Sequence, residues 1–263
     1  MSDIADAFHE YFEIVVADTL ELKKEVYRLR YRIMCLNTGI FDTTLYPDEL
    51  EKDEFDDHSI HILLRHKPSN AFMGTARLIL SDPSPLANRA FPVELHTQFY
   101  PAFSNMNIIR EHTVEISRFA IHSDFFRRKD DFRFSVDKAA SQGIRKNERR
   151  RFPHPMLGLA VGIIQLCAKH DFFFWFSAMD PALNRLLGFY GMQLNPIGPI
   201  VDYYGPRRPY HVCVIDVLER MYVNYPEVWE LVTDNGRIWP SDLQSVRERN
   251  QHILLAGNEM VTC

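Results

Sequence analysis

Two charged residues interrupt a segment that otherwise has the pattern of a β-strand. The segment TVEISRFAI (113–121) is rich in β-branched and apolar residues, yet it contains Glu115 and Arg118. Side chains alternate along a strand, so these two residues lie on opposite faces unless a β-bulge re-aims one of them. A carboxylate in such a place is a candidate general base, and the arginine is a candidate for orienting a polar substrate.

Other charges of complementary sign accompany this pair. Arg77 lies in a second β-rich segment, and residues 41–57 contain eight acids and one lysine. Buried ions need partners because desolvation is costly. We take Asp53, Asp56 and Glu115 as the nearest acids, and Arg30, Arg77 and Arg118 as the nearest bases. Such a network either orients a substrate or only holds the acidic segment against the sheet.

The N-terminal half supplies the elements that must position these charges. YFEIVVA (11–17) is typical of a strand, and residues 18–39 are predicted to form a helix with Asp18 or Thr19 as N-cap and Gly39 at its end. One helix face carries the apolar residues Leu22, Val26, Leu29, Ile33 and Leu36. Residues 59–66 and 72–80 predict a hairpin around the turn KPSN.

The C-terminal half continues with alternating elements. An apolar helix is predicted over 156–171, a doubly covered strand over 172–179, a helix over 181–191, two strands over 192–216 and a helical tail. The chain is therefore predicted to be one α/β domain over 1–240, with a mixed, mostly antiparallel sheet flanked by helices and a weakly specified segment over 241–263.

Composition narrows the class of protein. The 263 residues are 46% hydrophobic and 25% charged, with a net charge of −5, which argues against a general nucleic-acid binder. No apolar run is long enough for a membrane span, and the acidic N-terminus lacks signal-peptide features, so we expect a cytoplasmic protein. Four scattered cysteines give no zinc or disulfide pattern, and His58 and His61 face opposite sides of a strand, so no metal site is predicted.

A set of motifs in fixed order resembles the acyl-homoserine-lactone (autoinducer) synthases, which are acyltransferases of the GNAT fold. The matching residues are Arg30 with Met34; Glu51, Asp53 and Asp56; Gly74, Arg77 and Leu78; Phe91; and Glu115, Ser117, Arg118 and Phe119. Over about residues 11–236 the chain is also similar to the PEP-CTERM/exosortase system-associated acyltransferases, relatives of the N-acyl amino acid synthases. Segments that carry this second likeness include EVYRLRYRIMCL, FFRRK and PEVWELVTDNG.

The resemblance implies an N-acyltransferase that needs no tightly bound cofactor. Its substrates would be an acyl-carrier-protein thioester, or acyl-CoA, and the amine of a small polar acceptor such as an amino acid. The implied catalytic residues are Glu115, Arg118, Arg77, Asp53 and Asp56, with Arg30 and Ser117 in the polar network. Donor binding would use Phe119, Ala120, Ile121, Arg127, Arg128 and Lys129. The basic segment 127–151, with ten Arg or Lys and four acids, would dock the acidic carrier protein.

The sequence departs from these families at three places. The aromatic residues of the autoinducer synthases are replaced by Met34 and Ile40, which disfavours S-adenosylmethionine as the amine substrate. The GNAT pyrophosphate loop is absent from RRRFPHPMLGLA, which disfavours acetyl-CoA, and Leu187 replaces a tyrosine common in GNAT enzymes. A lactone synthase and an inactive acyl- or carrier-binding module remain alternatives. The run Phe172–Phe176 either lines an acyl tunnel with the preceding helix or is core.

Overall fold

A computed structural model of the chain describes residues 3–82, 90–104, 106, 108–125, 154–239, 243–251 and 253. The strands are β1 (Phe12–Val16), β2 (Ser59–His66), β3 (Ala71–Ile79), β4 (Thr113–Ile121), β5 (Phe174–Met179), β6 (Asn195–Pro196), β7 (Val201–Asp202) and β8 (Pro206–Cys213). The helices are α1 (Asp3–Tyr11), α2 (Leu20–Arg30), α3 (Pro92–His96), α4 (Pro155–His170), α5 (Pro181–Gly188), α6 (Val214–Asn224), α7 (Pro226–Thr233) and α8 (Leu243–Arg249).

The strands form one mixed sheet in the order β1-β2-β3-β4-β5-β8-β6, with β7 paired to β8. β1 with β2, and β8 with each of β5, β6 and β7, are antiparallel, whereas β4 and β5 are parallel. The predicted mixed, mostly antiparallel sheet with flanking helices is confirmed. Within the described ranges, no helix has both the length and the apolar character that crossing a membrane requires.

The described residues fall into two compact units. The first draws on Met1–Lys52, His61–Ala76 and Arg118–Leu159, and the second on Asp53–Ile60, Arg77–Ser117 and Ala160–Cys263. β2, β3 and β4 each contribute residues to both units. The single domain predicted over 1–240 stays a prediction.

The core of the first unit is built around α2. Thr19 caps this helix, since its hydroxyl oxygen accepts a hydrogen bond from the backbone N–H of Leu22 at 3.2 Å. Val26, Leu29 and Ile33 are buried, as the periodicity predicts. Leu36 is 60% exposed, however, and its predicted place on the buried face is wrong.

The exposure of Leu36 has a local cause. Residues Tyr31–Asn37 form a π-helical turn, in which the N–H of Thr38 reaches the carbonyl of Ile33 five residues back at 3.1 Å. This wider turn rotates the following side chains relative to an α-helix. Met34 and Cys35 are buried in place of Leu36.

The second unit has an apolar core around β5. Phe173, Phe174, Trp175 and Phe176 are all buried, which confirms the prediction of a strand covered on both faces. Phe176 belongs to a cluster with Ile79, Phe91, Val93 and Ile197. The indole N–H of Trp175 contacts the sulfur of Cys167 on α4 at 3.0 Å.

Two predictions about elements need correction. α1 was not predicted, because a helix of nine residues gives little periodic signal; its residues Ala5 and Phe8 are buried. The interval 192–216 contains three strands and not two. β6 and β7 are two residues long, too short to show alternation between prolines and glycines.

Candidate active site

Strand β4 changes its pairing and its backbone conformation where the charged residues lie. Its register with β5 runs from Thr113↔Phe174 to Glu115↔Phe176. At the next residue the hydroxyl of Ser177 donates to the carbonyl of Ile116 at 2.9 Å. Arg118 then has φ of 50°, in the left-handed region, which is rare for a residue with a side chain. The strand is therefore irregular at Arg118, in the segment where the sequence allowed for a β-bulge.

In the first unit, Arg30 and Arg118 share one carboxylate, that of Glu51. Arg30 and Glu51 are fully buried, and Arg30 Nε donates to Glu51 Oε2. Arg118 Nη2 donates to Glu51 Oε1 at 2.9 Å, and its Nε lies 3.2 Å from Oε2. The Arg118 guanidinium also lies over the ring of Phe41, 4.7 Å from its centroid. Only Arg118 among the three charged side chains keeps some exposure, 14%.

The ion cluster sets the charge of Glu51. Burial raises the pKa of this carboxyl, but the guanidiniums of Arg30 and Arg118 outweigh burial and lower the pKa to about 2. Burial, reinforced by the nearby Glu51, raises the pKa of the Tyr46 phenol to about 12 and also raises the pKa of the Cys35 thiol. Glu51 is therefore an anion at neutral pH while its uncharged neighbours stay protonated.

In the second unit, Arg77 donates hydrogen bonds to Asp53, Asp56 and Ser117. Arg77 Nη1 donates to Asp53 Oδ1 at 2.5 Å and to Asp56 Oδ1 at 2.7 Å, and Nη2 reaches Asp53 Oδ2 at 3.1 Å. Its Nε donates to the hydroxyl of Ser117 at 2.9 Å. Arg77 and Asp56 are each 2% exposed, so this is a buried, fork-like ion cluster.

The same two aspartates also fix their own segment. Asp53 Oδ1 accepts from the N–H of Phe55 at 3.0 Å, and Asp56 Oδ2 accepts from the N–H of Asp53 at 2.8 Å. This reciprocal arrangement is a capping box at the start of a short 3-10 turn, Glu54–His58. Asp53 and Asp56 therefore stabilise the conformation of their own segment and also balance the charge of Arg77.

Glu115 is buried in the second unit with 2% of its surface exposed. Its Oε2 accepts a hydrogen bond from the N–H of Val93 in α3 at 2.8 Å. The adjacent Glu94 accepts from both terminal nitrogens of Arg110, at 2.6 and 2.9 Å, and from the N–H of Phe91 at 2.7 Å. Glu115 thus fixes the start of α3 at Val93. The residue after Val93 is Glu94, whose carboxylate is paired with Arg110.

The predicted site residues are distributed over these groups. Arg77 lies with Asp53 and Asp56, and also with Ser117, which the sequence analysis had placed in the polar network with Arg30. Arg30 and Arg118 are together as well, but through Glu51, which was missing from the expected acids. Glu51 was visible only as a member of the E-x-D-x2-D pattern, and Phe41, under Arg118, had no signal of its own.

The proposed donor-binding residues are only partly described. Phe119, Ala120 and Ile121 end β4 with half-buried side chains. The carbonyl of Ala120 lies close to Gly74 of β3, where an added Cβ would stand 3.2 Å from that oxygen. Arg127, Arg128, Lys129 and the rest of the basic segment lie outside the described residues. Among the residues that are described, no group of three or more His, Cys, Asp or Glu is arranged to hold a metal ion.

Comparison with known proteins gives this arrangement a context. Residues 29–134 match the acetyltransferase (GNAT) domain. This interval contains both ion clusters and Glu115. A comparison with curated protein sequences found no match.

Solved structures extend the likeness along the chain. BjaI, a CoA-dependent acyl-homoserine lactone synthase solved with SAM and isopentyl-CoA, has a TM-score of 0.51 at 15% identity, over 88% of this chain and 90% of its own. TofI, solved with an inhibitor and MTA, has a TM-score of 0.53 at 16% identity, over 83% of this chain and 99% of its own. FeeM, an N-acyl amino acid synthase from uncultured soil microbes, has a TM-score of 0.49 at 10% identity, over 80% and 93% of the two chains.

The first two likenesses, at such low identity, are likenesses of fold. They confirm the predicted GNAT fold. The domain match and the fold together support an N-acyltransferase enzyme of GNAT type. The acyl donor and the amine acceptor do not follow from them.

Proposed function

We propose that this protein transfers a medium or long acyl chain from a carrier thioester to the amine of a small polar acceptor such as an amino acid. One observation carries the proposal. In a GNAT-type domain, the buried carboxylate of Glu115 lies on β4 at the last residue in register with β5, and Ser117 and Arg118 follow it. A base, a polar positioning group and a cation thus occupy one short, irregular stretch of strand.

The reaction assigned to this stretch is direct aminolysis. The acceptor nitrogen attacks the thioester carbonyl carbon, a C–N bond forms, the C–S bond breaks, and the thiolate leaves. The ammonium first loses one proton, which Glu115 accepts directly or through a water molecule. After the C–N bond has formed, the nitrogen loses a second proton, and the departing sulfur takes up one. No covalent enzyme intermediate is required. Backbone N–H groups near Phe119 are the proposed donors to the thioester oxyanion.

The two ion clusters have supporting roles in this proposal. Arg77, held by Asp53 and Asp56, keeps Ser117 in place, and Arg118 is held by Glu51 and Phe41. Such buried, mutually satisfied charges are rigid, which favours fixed positions for the groups on β4. Within the Glu51 cluster only Arg118 retains exposed surface, so it is the member of that cluster proposed to meet the substrate.

An acyl carrier protein is the proposed donor, with acyl-CoA as the alternative. The reason is the basic segment 127–151, whose charge complements the acidic surface of a carrier protein. The apolar helix α4 and strand β5 are the proposed lining of an acyl tunnel. The link to a PEP-CTERM/exosortase system and a cytoplasmic location both remain predictions from sequence.

A lactone synthase is the second candidate, favoured by the fold likeness to BjaI. Against it, Met34 and Ile40 stand where autoinducer synthases have aromatic residues, and Met34 is buried in the first-unit core. An inactive acyl- or carrier-binding module is the third candidate. It would retain the fold and the basic segment but give no product.

Mass spectrometry of lipids tests the three candidates together. Extracts of cells that express the protein are compared with extracts from the Glu115→Gln variant and from Glu111→Gln, a matched change at an exposed acid four residues away. An N-acylated amine that depends on Glu115 and not on Glu111 is the expected result. A lactone product would support the second candidate. No new species, together with co-purified acyl carrier protein, would support the binding module and refute the transferase.

A further inference from the structure

The second unit contains a cavity of about 320 Å³ that the ion clusters do not line. It is formed by a single stretch of chain that begins in α3. The lining residues are Glu94, Thr97, Phe99, Phe103, Ser104, Met106 and Ile108. This volume is at the lower end of the range for small-molecule sites, so the cavity suits a ligand of about the size of an amino acid.

The first part of the loop that lines the cavity, at Gln98 and Tyr100, is held by neighbouring residues. The N–H of Tyr100 donates to the carbonyl of Ile197 at 2.8 Å, and Arg208 donates to Gly198 O and to Tyr100 Oη, each at 2.9 Å. Gly198 permits this close approach, because a Cβ there would stand 1.8 Å from the carbonyl oxygen of Gln98. This side of the cavity is therefore ordered before a ligand arrives, which lowers the entropy cost of binding.

The polar side chains of the cavity present hydrogen-bond acceptors. The Thr97 hydroxyl already donates to Val93 O, and the Ser104 hydroxyl donates to Tyr100 O at 3.3 Å. Since a hydroxyl has one proton, the Thr97 oxygen is left with an accepting position, and the exposed Ser104 hydroxyl, whose contact is long, can rotate to accept as well. A ligand group that donates hydrogen bonds therefore suits this side of the cavity.

Glu94 adds a further acceptor to this set. Its carboxylate receives three hydrogen bonds, two on Oε2 and one on Oε1. A carboxylate has about four accepting positions, so Oε1 keeps one. Arg110 balances the charge of Glu94 and has both terminal nitrogens directed at that carboxylate.

The remaining walls are aromatic or apolar. Phe99 stacks on Phe176 with ring centroids 6.0 Å apart, and Phe103, Met106 and Ile108 are half-buried around it. Aromatic faces attract organic cations, and apolar walls accept a hydrocarbon body. A purely hydrocarbon tail would instead cover Thr97, Ser104 and Glu94 without replacing the hydrogen bonds that these acceptors make with water.

We propose that this cavity binds a small organic ammonium ion with an apolar body, and that it is the acceptor pocket of the enzyme. The assignment of the cavity as the acceptor pocket rests on the proposed function. It narrows the acceptor to amines with an aliphatic or aromatic side group. Glu115 supports the link between the two, because it holds the N–H of Val93 at the start of the helix that carries Glu94 and leads into Thr97.

Equilibrium binding tests the pocket without any turnover. The probe is 2-phenylethylammonium, measured by calorimetry on the full chain, with 2-phenylethanol and 3-phenylpropionate as neutral and anionic counterparts. The ammonium is expected to bind in the millimolar range and about tenfold or more tighter than either counterpart, as hydrogen bonds from a charged donor imply. Equal or tighter binding of the alcohol or the carboxylate would overturn the proposal.

Two variants locate the binding. Met106→Lys places a competing ammonium at the cavity and is expected to abolish binding, whereas Val223→Lys, at a 75% exposed position on α6, is expected to leave it unchanged. Ser104→Ala changes an exposed residue and should weaken binding about threefold or more by removing one acceptor. Binding that neither Met106→Lys nor Ser104→Ala alters would exclude this cavity, and circular dichroism confirms that the variants are folded.

The acyl-transfer assay separates the pocket from the proposed function. Ammonium binding that the variants weaken, in a protein that forms no acylated product, refutes the transferase and leaves the pocket. Acyl transfer in which Met106→Lys changes neither KM for the acceptor nor kcat refutes the pocket as acceptor site and leaves the transferase.

Discussion

Glu115 provides the sharpest test because its two proposed roles respond differently to two substitutions. The carboxylate accepts the N–H of Val93 at 2.8 Å and is also the proposed base. Glu115→Gln keeps an oxygen that can accept this hydrogen bond but removes the basic carboxylate. Glu115→Ala removes both, and leaves a buried N–H without its partner.

The expected magnitudes follow from this difference. Loss of a general base lowers turnover by about 10²–10⁴-fold, so both variants should lose activity to that extent. A buried donor that loses its partner costs about 1–3 kcal/mol, so the free energy of unfolding should fall by that amount in Glu115→Ala and much less in Glu115→Gln.

The measurement combines initial rates of acyl transfer with urea unfolding of the same preparations. Glu111→Gln, at an exposed acid, is the control for a change of charge near β4. If Glu115→Gln turns over at the wild-type rate, Glu115 is not the base. If only Glu115→Ala loses activity, and in proportion to its loss of stability, the carboxylate acts solely through the position of α3.

Three further outcomes are expected. Glu51→Gln should lower the free energy of unfolding by about 3–5 kcal/mol at neutral pH, because two arginines lose a shared buried partner. In wild type, stability should rise between about pH 2 and 4.5, because over this interval the unfolded chain binds a proton that the folded Glu51, with its pKa lowered to about 2, does not. Urea unfolding of Glu51→Gln should show that this rise is lost. Burial lowers the pKa of His211 to about 4, so wild-type stability should fall as pH drops from 6.5 toward 4, and His211→Phe should flatten this interval; an unchanged profile would contradict a neutral buried imidazole. Gly198→Ala forces a Cβ against the backbone of Gln98 and should weaken 2-phenylethylammonium binding, so wild-type affinity would show that the cavity tolerates movement of its loop.

The fold was predictable where the pattern was long and regular. β4 has the predicted bounds, and the paired strands β2 and β3 follow from their β-rich composition and the KPSN turn. The π-helical turn at Tyr31–Asn37 was not predictable, because α- and π-turns use the same residue types and differ only in which carbonyl each N–H reaches. The misplacement of Leu36 follows directly from that ambiguity.

The sequence indicated most of the charged residues of the candidate site, but it did not indicate which acid pairs with which arginine. The position of Arg77 in a strand favoured its burial. It is paired with Asp53 and Asp56, two of the three acids that the sequence analysis proposed as partners. Glu51 is one of eight acids within seventeen residues, and composition cannot tell which of them is buried. Its place follows from tertiary structure: its N–H donates to the carbonyl of Tyr27 on α2 at 3.1 Å, and its carboxylate meets Arg30, the last residue of that helix.

The backbone of Arg118 is in the left-handed conformation. A left-handed conformation at a residue with a long side chain costs about 1–3 kcal/mol and persists only where the surroundings enforce it. Here three hydrogen-bond contacts to Glu51 and the face of Phe41 enforce it. Ser117 and Arg118, which are consecutive residues of β4, belong to different clusters: Ser117 meets Arg77, and Arg118 meets Glu51. Loss of Glu51 would therefore remove the reason for the strained conformation as well as a charge, and the segment from Arg118 to Ile121 should relax toward a regular strand. That segment contains the backbone N–H groups proposed to bind the thioester, so in the proposed mechanism a buried acid with no role in proton transfer still governs turnover through the shape of β4.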